Sequence, residues 1–175
     1  MIPLALVALV TPAVPADILA LQKEYEHFWG VSVTLRTKRC EEENAWYTFD
    51  DKSVTLCDEL LDRPALARWV FRHEMGHAIN DQFHIAWVDP EAAADELAMI
   101  TASPEESLAA MLWFSGSALV EGGDPHPAAL DRATAIACYI DGSDPRPADR
   151  KCAVYARSVF FAWERLLITM SGVDE

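Results

Sequence analysis

The segment His73-Glu74-Met75-Gly76-His77 constrains the fold more than any other part of the chain. Leu66, Trp69 and Val70 on the preceding turns are apolar. Pro64 suits a first helical position, and the apolar period predicts a helix from Pro64 to about Asn80–Phe83. Four residues are about one helical turn, so both imidazoles point the same way. A substantially buried helix must then carry two imidazoles and a carboxylate, and buried groups of that kind need partners. A His-Glu-His facing solvent needs none, and that is the plain structural alternative. A shared metal ion would supply the partner. Two histidine nitrogens at this spacing reach one Zn²⁺ at about 2.0–2.1 Å, and Glu74 beside the first of them suits a general base acting on water.

A catalytic zinc site needs a third protein ligand and an open fourth position. In the metzincin spacing a third His stands ten residues after His73 and a Gly three residues after His77. Those positions hold Phe83 and Asn80, and His84 misses by one. The alternative is a carboxylate from a second helix. Glu91-Ala92-Ala93-Ala94-Asp95 begins 14 residues after His77, and its two acids at i and i+4 share one helix face. The alanines between them allow two helices to approach closely. Glu91 would bind the metal, and Asp95 would accept a hydrogen bond from the other nitrogen of His73 and fix its tautomer. Asp95 or Glu96 as the third ligand remains an open alternative. Without a metal, Glu91 is a favourable charge in a first helical turn, worth about 0.3–1 kcal/mol, and Asp95 and Glu96 are a solvated face.

The rest of the chain predicts an α+β domain. Its 175 residues suit one core. Asp17 to Trp29 has helical spacing and stops at Gly30. Val31 to Thr37 alternates apolar and polar residues as a strand does. Ala45 to Phe49 and Ser53 to Cys57 are two further strands around a turn at Asp50-Asp51-Lys52. A small antiparallel sheet is therefore expected, followed by a mainly helical C-terminal half. Asp89-Pro90 opens a helix to about Thr101, and Ser103-Pro104-Glu105-Glu106 is a capping box for the next, which runs to Gly122-Gly123. Pro127 to Ile140 and Lys151 to Met170 complete the set. Trp46, Trp69, Trp87, Trp113 and Trp163 are expected in the core rather than in a substrate subsite.

Two features point to export. Residues 1–16 carry no charged side chain, and their short apolar run followed by Val14-Pro15-Ala16 reads as a secretory signal peptide. A basic leading region is missing, and an N-terminal element packed in the core is the alternative. Residues 17–175 would then form the single mature domain, with no membrane span. The four cysteines, Cys40, Cys57, Cys138 and Cys152, allow three pairings. Local pairing, Cys40 with Cys57 and Cys138 with Cys152, is expected. A zinc site built from all four lacks any Cys-x-x-Cys pair, and free buried thiols are the remaining alternative. The 28 acidic against 14 basic side chains, a net charge of -14, oppose sequence-independent nucleic-acid binding and docking on anionic membranes.

His-Glu-Met-Gly-His-Ala followed by Glu-Ala-Ala-Ala-Asp-Glu-Leu-Ala resembles a family of bacterial metallopeptidases, defined as a domain of unknown function, with a gluzincin-type site. The resemblance extends to Asn44-Ala45-Trp46-Tyr47, to Val54 through Leu60, and to His126-Pro127 through Arg132, Cys138 and Gly142-Ser143-Asp144-Pro145. It implies a zincin-like domain, a secreted or periplasmic location, a Zn²⁺ cofactor and peptidase activity on a peptide or protein substrate. The chain departs from the family pattern at Asp141, where an aromatic residue, usually Tyr, precedes the Gly-Ser-Asp-Pro stretch. Tyr139 or His126 is the candidate replacement as a transition-state stabiliser, and each also has an ordinary packing or surface role. The expected function is peptide hydrolysis with His73, His77 and Glu91 on zinc and Glu74 as general base. The alternative is a zinc-binding or partner-binding secreted domain without turnover.

Overall fold

The computed structural model describes residues 13–117 and 129–170, with side chains to residue 166. The signal-peptide expectation falls mostly on residues 1–12, outside the described residues, as does the expected helix end at Gly122-Gly123.

The elements run α1 (Ala16–Trp29), β1 (Thr34–Lys38), β2 (Ala45–Thr48), β3 (Ser53–Cys57), α2 (Asp58–Leu61), α3 (Pro64–Gln82), α4 (Pro90–Thr101), α5 (Pro104–Ser117), α6 (Ala129–Gly142) and α7 (Arg150–Met170). This is the expected α+β class. The strand order is β1-β3-β2. β2 and β3 form the expected antiparallel pair, Thr48 opposite Ser53. β1 lies parallel to β3, with Lys38 opposite Cys57, so the sheet is mixed rather than wholly antiparallel. The Cys40–Cys57 disulfide accounts for the direction. Cys40 follows the end of β1 by two residues and Cys57 ends β3, so bridging them sets the two C-terminal strand ends side by side. β3 is central and every one of its residues is buried, which requires a partner on each edge.

β1 also starts three residues later than its alternation predicts. Val31 and Val33 are buried, but the backbone of Ser32 between them is taken by a side chain. Ser32 N–H donates to Gln82 Oε1 at 3.2 Å, and Gln82 Nε2 donates to the Ser32 carbonyl at 2.9 Å. The end of α3 thus occupies the hydrogen bonds that a longer strand would use. On β2, the Tyr47 hydroxyl donates to Asp81 Oδ2 at 2.7 Å, and Lys52 beside β3 reaches the same oxygen. Sheet and α3 are locked together one turn beyond His77.

The helix boundaries follow their caps. Asp89 Oδ1 accepts from Ala92 N–H at 3.0 Å at the start of α4. Ser103 and Glu106 form the expected reciprocal box at the start of α5, at 3.0 and 3.3 Å. Glu106 is buried because it also receives Arg68 at 2.6 Å and Arg72 at 3.1 Å from α3. α3 is closed off by His84, two residues past its end, whose φ of 56° is left-handed. His84 N–H reaches the Asp81 carbonyl at 3.2 Å and Ile85 N–H the Asn80 carbonyl at 2.8 Å, the double closure that stops a helix. His84, one place away from a metzincin ligand, is therefore the helix stop.

One core joins α1, the sheet and helices α2 to α7. Trp69 and Trp163 are fully buried, while Trp46 is 37% exposed at the sheet surface. Trp87 and Trp113 pack at the edge of the core, their indole N–H groups on Asn80 and Glu43. Cys138–Cys152 ties α6 to α7, so both expected pairings are present. Disulfides of this kind persist in oxidising compartments. Among the described residues, no helix is long and apolar enough to cross a membrane.

α3 and α4 approach most closely at Gly76. A Cβ there would lie 2.7 Å from Ala94 Cα and 3.0 Å from Ala94 Cβ, and backbone cannot yield as a side-chain tip can. Gly76→Ala should therefore lower unfolding stability by about 1–3 kcal/mol in urea titration. Gly116→Ala on α5, where a Cβ meets nothing within 4 Å, should stay within about 0.5 kcal/mol of wild type. Equal stability of the two variants would contradict the packing described here.

Candidate metal centre

α3 delivers His73, Glu74 and His77, and α4 delivers Glu91 and Asp95. The close approach at Gly76 brings these rows of side chains together. His73 Nε2 lies 3.1 Å from His77 Nε2. Glu91 spans the pair, with Oε2 at 3.3 Å from His73 Nε2 and Oε1 at 3.4 Å from His77 Nε2. Two donors that share one tetrahedral ion at about 2.0–2.1 Å sit roughly 3.3 Å apart. The imidazole pair matches that spacing, and each nitrogen has one Glu91 oxygen near it, Oε2 for His73 and Oε1 for His77. The group His73, His77 and Glu91 could hold a metal ion, and its burial is that of a site rather than of a surface acid patch.

The second nitrogen of His73 is committed elsewhere. Nδ1 lies 2.8 Å from Asp95 Oδ1. An ionised carboxylate only accepts, so Nδ1 is the donor, and Nε2 faces His77 and Glu91. Trp69 stacks on the His73 ring at 6.1 Å between centroids, nearly parallel, and fixes its plane. Burial lowers the pKa of His73, but hydrogen bonds with Asp95 and Glu91 and the charges of Asp95 and Glu74 outweigh it and raise it to about 9. The same carboxylates favour any positive charge held at that place. Glu74 is 5% exposed and directly follows the first imidazole ligand.

Asp95 has a partner that sequence reasoning missed. Arg132 on α6 grips it with two hydrogen bonds, Nε to Oδ2 at 2.8 Å and Nη2 to Oδ1 at 2.6 Å. Burial alone would raise the Asp95 pKa, but His73 and Arg132 hold it below the usual carboxylate range. A signal existed. Arg132 is the one Lys or Arg on α6, in a segment otherwise rich in alanine and aliphatic residues. A buried carboxylate whose first oxygen serves a histidine still needs a donor for its second.

Glu96 is not one of the residues whose ligand atoms converge here. It is half-buried; burial raises its pKa, and it interacts with Trp163. Tyr139 is half-buried on α6, two turns beyond Arg132, and none of the described contacts joins it to His73, His77 or Glu91. Burial is also the main reason the Tyr155 hydroxyl on α7 is pushed up to about 12, with the charges of Glu96 and Asp95 adding to it. Asp141 receives the backbone N–H groups of Ala148 and Asp149 at 2.9 and 3.0 Å and shapes the turn before α7. His126 lies outside the described residues.

No family model, curated protein or solved structure matches the chain.

Glu91 and Glu96 make separable predictions. Glu91→Gln should weaken divalent-metal binding, measured by competition with a chromophoric chelator, by more than the roughly 10–100-fold typical of a group behind the ligands. Glu96→Gln should leave it within twofold. The reverse order would move the third ligand to Glu96.

Proposed function

We propose that the chain is a zinc-dependent metallopeptidase of gluzincin type, acting outside the cytoplasm on a peptide or protein substrate. The observation that carries this proposal is the pair of imidazole nitrogens 3.1 Å apart, each with a different oxygen of Glu91 beside it at 3.3 and 3.4 Å, with a buried carboxylate next to His73 in sequence. Two imidazoles and one carboxylate are the donor set of catalytic zinc sites that leave a fourth position open. The two disulfides support the oxidising location.

His73, His77 and Glu91 would hold the ion. Zinc in such a site supplies Lewis acidity, which acidifies water and polarises a carbonyl. Glu74 takes a proton from the attacking water on its carboxylate and passes it to the leaving amine. Asp95 keeps the His73 ring turned so that Nε2 faces the site. The Trp69 indole and the α3–α4 contact exclude solvent from the rear of the imidazoles, which strengthens the electrostatic interactions among these groups.

Glu74→Gln preserves shape and removes the base. It should retain metal at wild-type occupancy and lower chelator-sensitive cleavage of a generic protein substrate by about 10²–10⁴-fold. Cleavage at the wild-type rate would contradict the role of Glu74. Metal bound in both proteins with cleavage in neither would favour the second reading, a zinc-holding domain without turnover.

A further inference from the structure

Arg132 lies outside the motif that defines the site, 37 residues after Asp95 in sequence. We propose that it is a positioning residue for the metal centre, acting through Asp95 on the orientation of His73. The inference rests on the metal-centre assignment above and extends it to a third layer of side chains.

Three observations carry it. First, the guanidinium occupies both oxygens of Asp95, at 2.8 and 2.6 Å. A planar fork on a planar carboxylate fixes that carboxylate against rotation, which a single hydrogen bond does not. Second, Asp95 Oδ1 is shared. It accepts from Arg132 Nη2 and from His73 Nδ1 at 2.8 Å, so the oxygen that Arg132 holds in place is the one the imidazole N–H must meet. Third, the guanidinium is itself held. Its Cζ stands 4.1 Å from the centroid of the Phe114 ring on α5, within cation–π range, and Phe114 packs edge-on against Trp69 at 5.7 Å. Trp69 in turn stacks on His73. The ring of contacts therefore closes: Arg132 to Asp95 to His73 to Trp69 to Phe114 and back to Arg132. His73 is braced from its nitrogen side and from its face by the same unit.

The charges agree with this assignment. Glu74, Glu91 and Asp95 carry three negative charges around the imidazoles. Arg132 pairs with one of them, Asp95, and a divalent cation would be drawn to the group as a whole. A ligand histidine whose backing carboxylate has lost its guanidinium would keep its place in α3 and lose its fixed direction.

The test uses the full chain loaded with Co²⁺, whose visible spectrum reports ligand geometry, and affinity measured by competition. Arg132→Met keeps the side-chain length and removes the fork; Arg132→Lys keeps a charge and is the milder change. Both should bind Co²⁺ more weakly, by about 10–100-fold for Met and less for Lys, with an altered spectrum. Asp95→Asn should show a similar loss, and combining it with Arg132→Met should add little, since the two act as one unit. Thermal melting of the metal-free proteins separates this from simple loss of stability: Arg132→Lys is expected to melt near wild type while binding less tightly. Wild-type affinity and spectrum in either Arg132 variant, or losses that multiply with Asp95→Asn, would overturn the proposal. Wild-type protein that binds no divalent ion would instead overturn the metal centre itself.

Discussion

Backbone contact between α3 and α4 at Gly76 and Ala94 is the constraint from which the site follows. A helix pair held apart by ordinary side chains sits 8–10 Å between axes, and at the wide end Glu91 and Asp95 would not reach imidazoles on the facing helix. Gly76 removes the side chain at the contact, and Ala92, Ala93 and Ala94 keep α4 slim along its length. The space saved lets two carboxylates from α4 meet two imidazoles from α3 at hydrogen-bond distance. The cap at each end of the connection then sets the register. His84 stops α3, and Asp89 starts α4, so Glu91 falls in the first turn and Asp95 one turn later.

Bringing those groups together creates an electrostatic demand. Glu74 and Asp95 are buried, and an unpaired buried carboxylate is strongly disfavoured. A guanidinium answers it at Asp95, and a cation of the kind proposed for His73, His77 and Glu91 would add to that answer. The elevated pKa of His73 expresses the same demand in terms of a proton. Elsewhere the acidic surplus of the chain has ordinary uses. Glu106 ties α3 to the start of α5, Asp81 ties α3 to the sheet, and Asp141 and Asp89 serve backbone N–H groups.

Much of this was legible in the sequence because it is local. The His-Glu-x-x-His spacing, the Glu-x-x-x-Asp pair, the capping box at Ser103 and the Pro starts of α3 and α4 are set by residues within one or two turns of each other. What escaped was set by residues distant along the chain. The parallel direction of β1 goes with the bridge between Cys40 and Cys57; that pairing was expected, but the strand direction that goes with it was not. The late start of β1 follows from Gln82, fifty residues from Ser32. Arg132 escaped for the same reason: nothing near it in sequence announces a buried carboxylate waiting on α4. The requirement was visible at Asp95 and a lone basic residue stood on α6, but nothing local tied the two together.

The proposed function stands on one divalent metal ion held by His73, His77 and Glu91. The most direct test is elemental analysis of the full chain, purified without chelator or affinity metal, beside a His73→Ala/His77→Ala variant prepared identically. One zinc ion per wild-type chain and none in the variant is the expected result. A wild-type chain with no bound divalent metal, and no uptake when zinc is supplied at stoichiometric concentration, would contradict it.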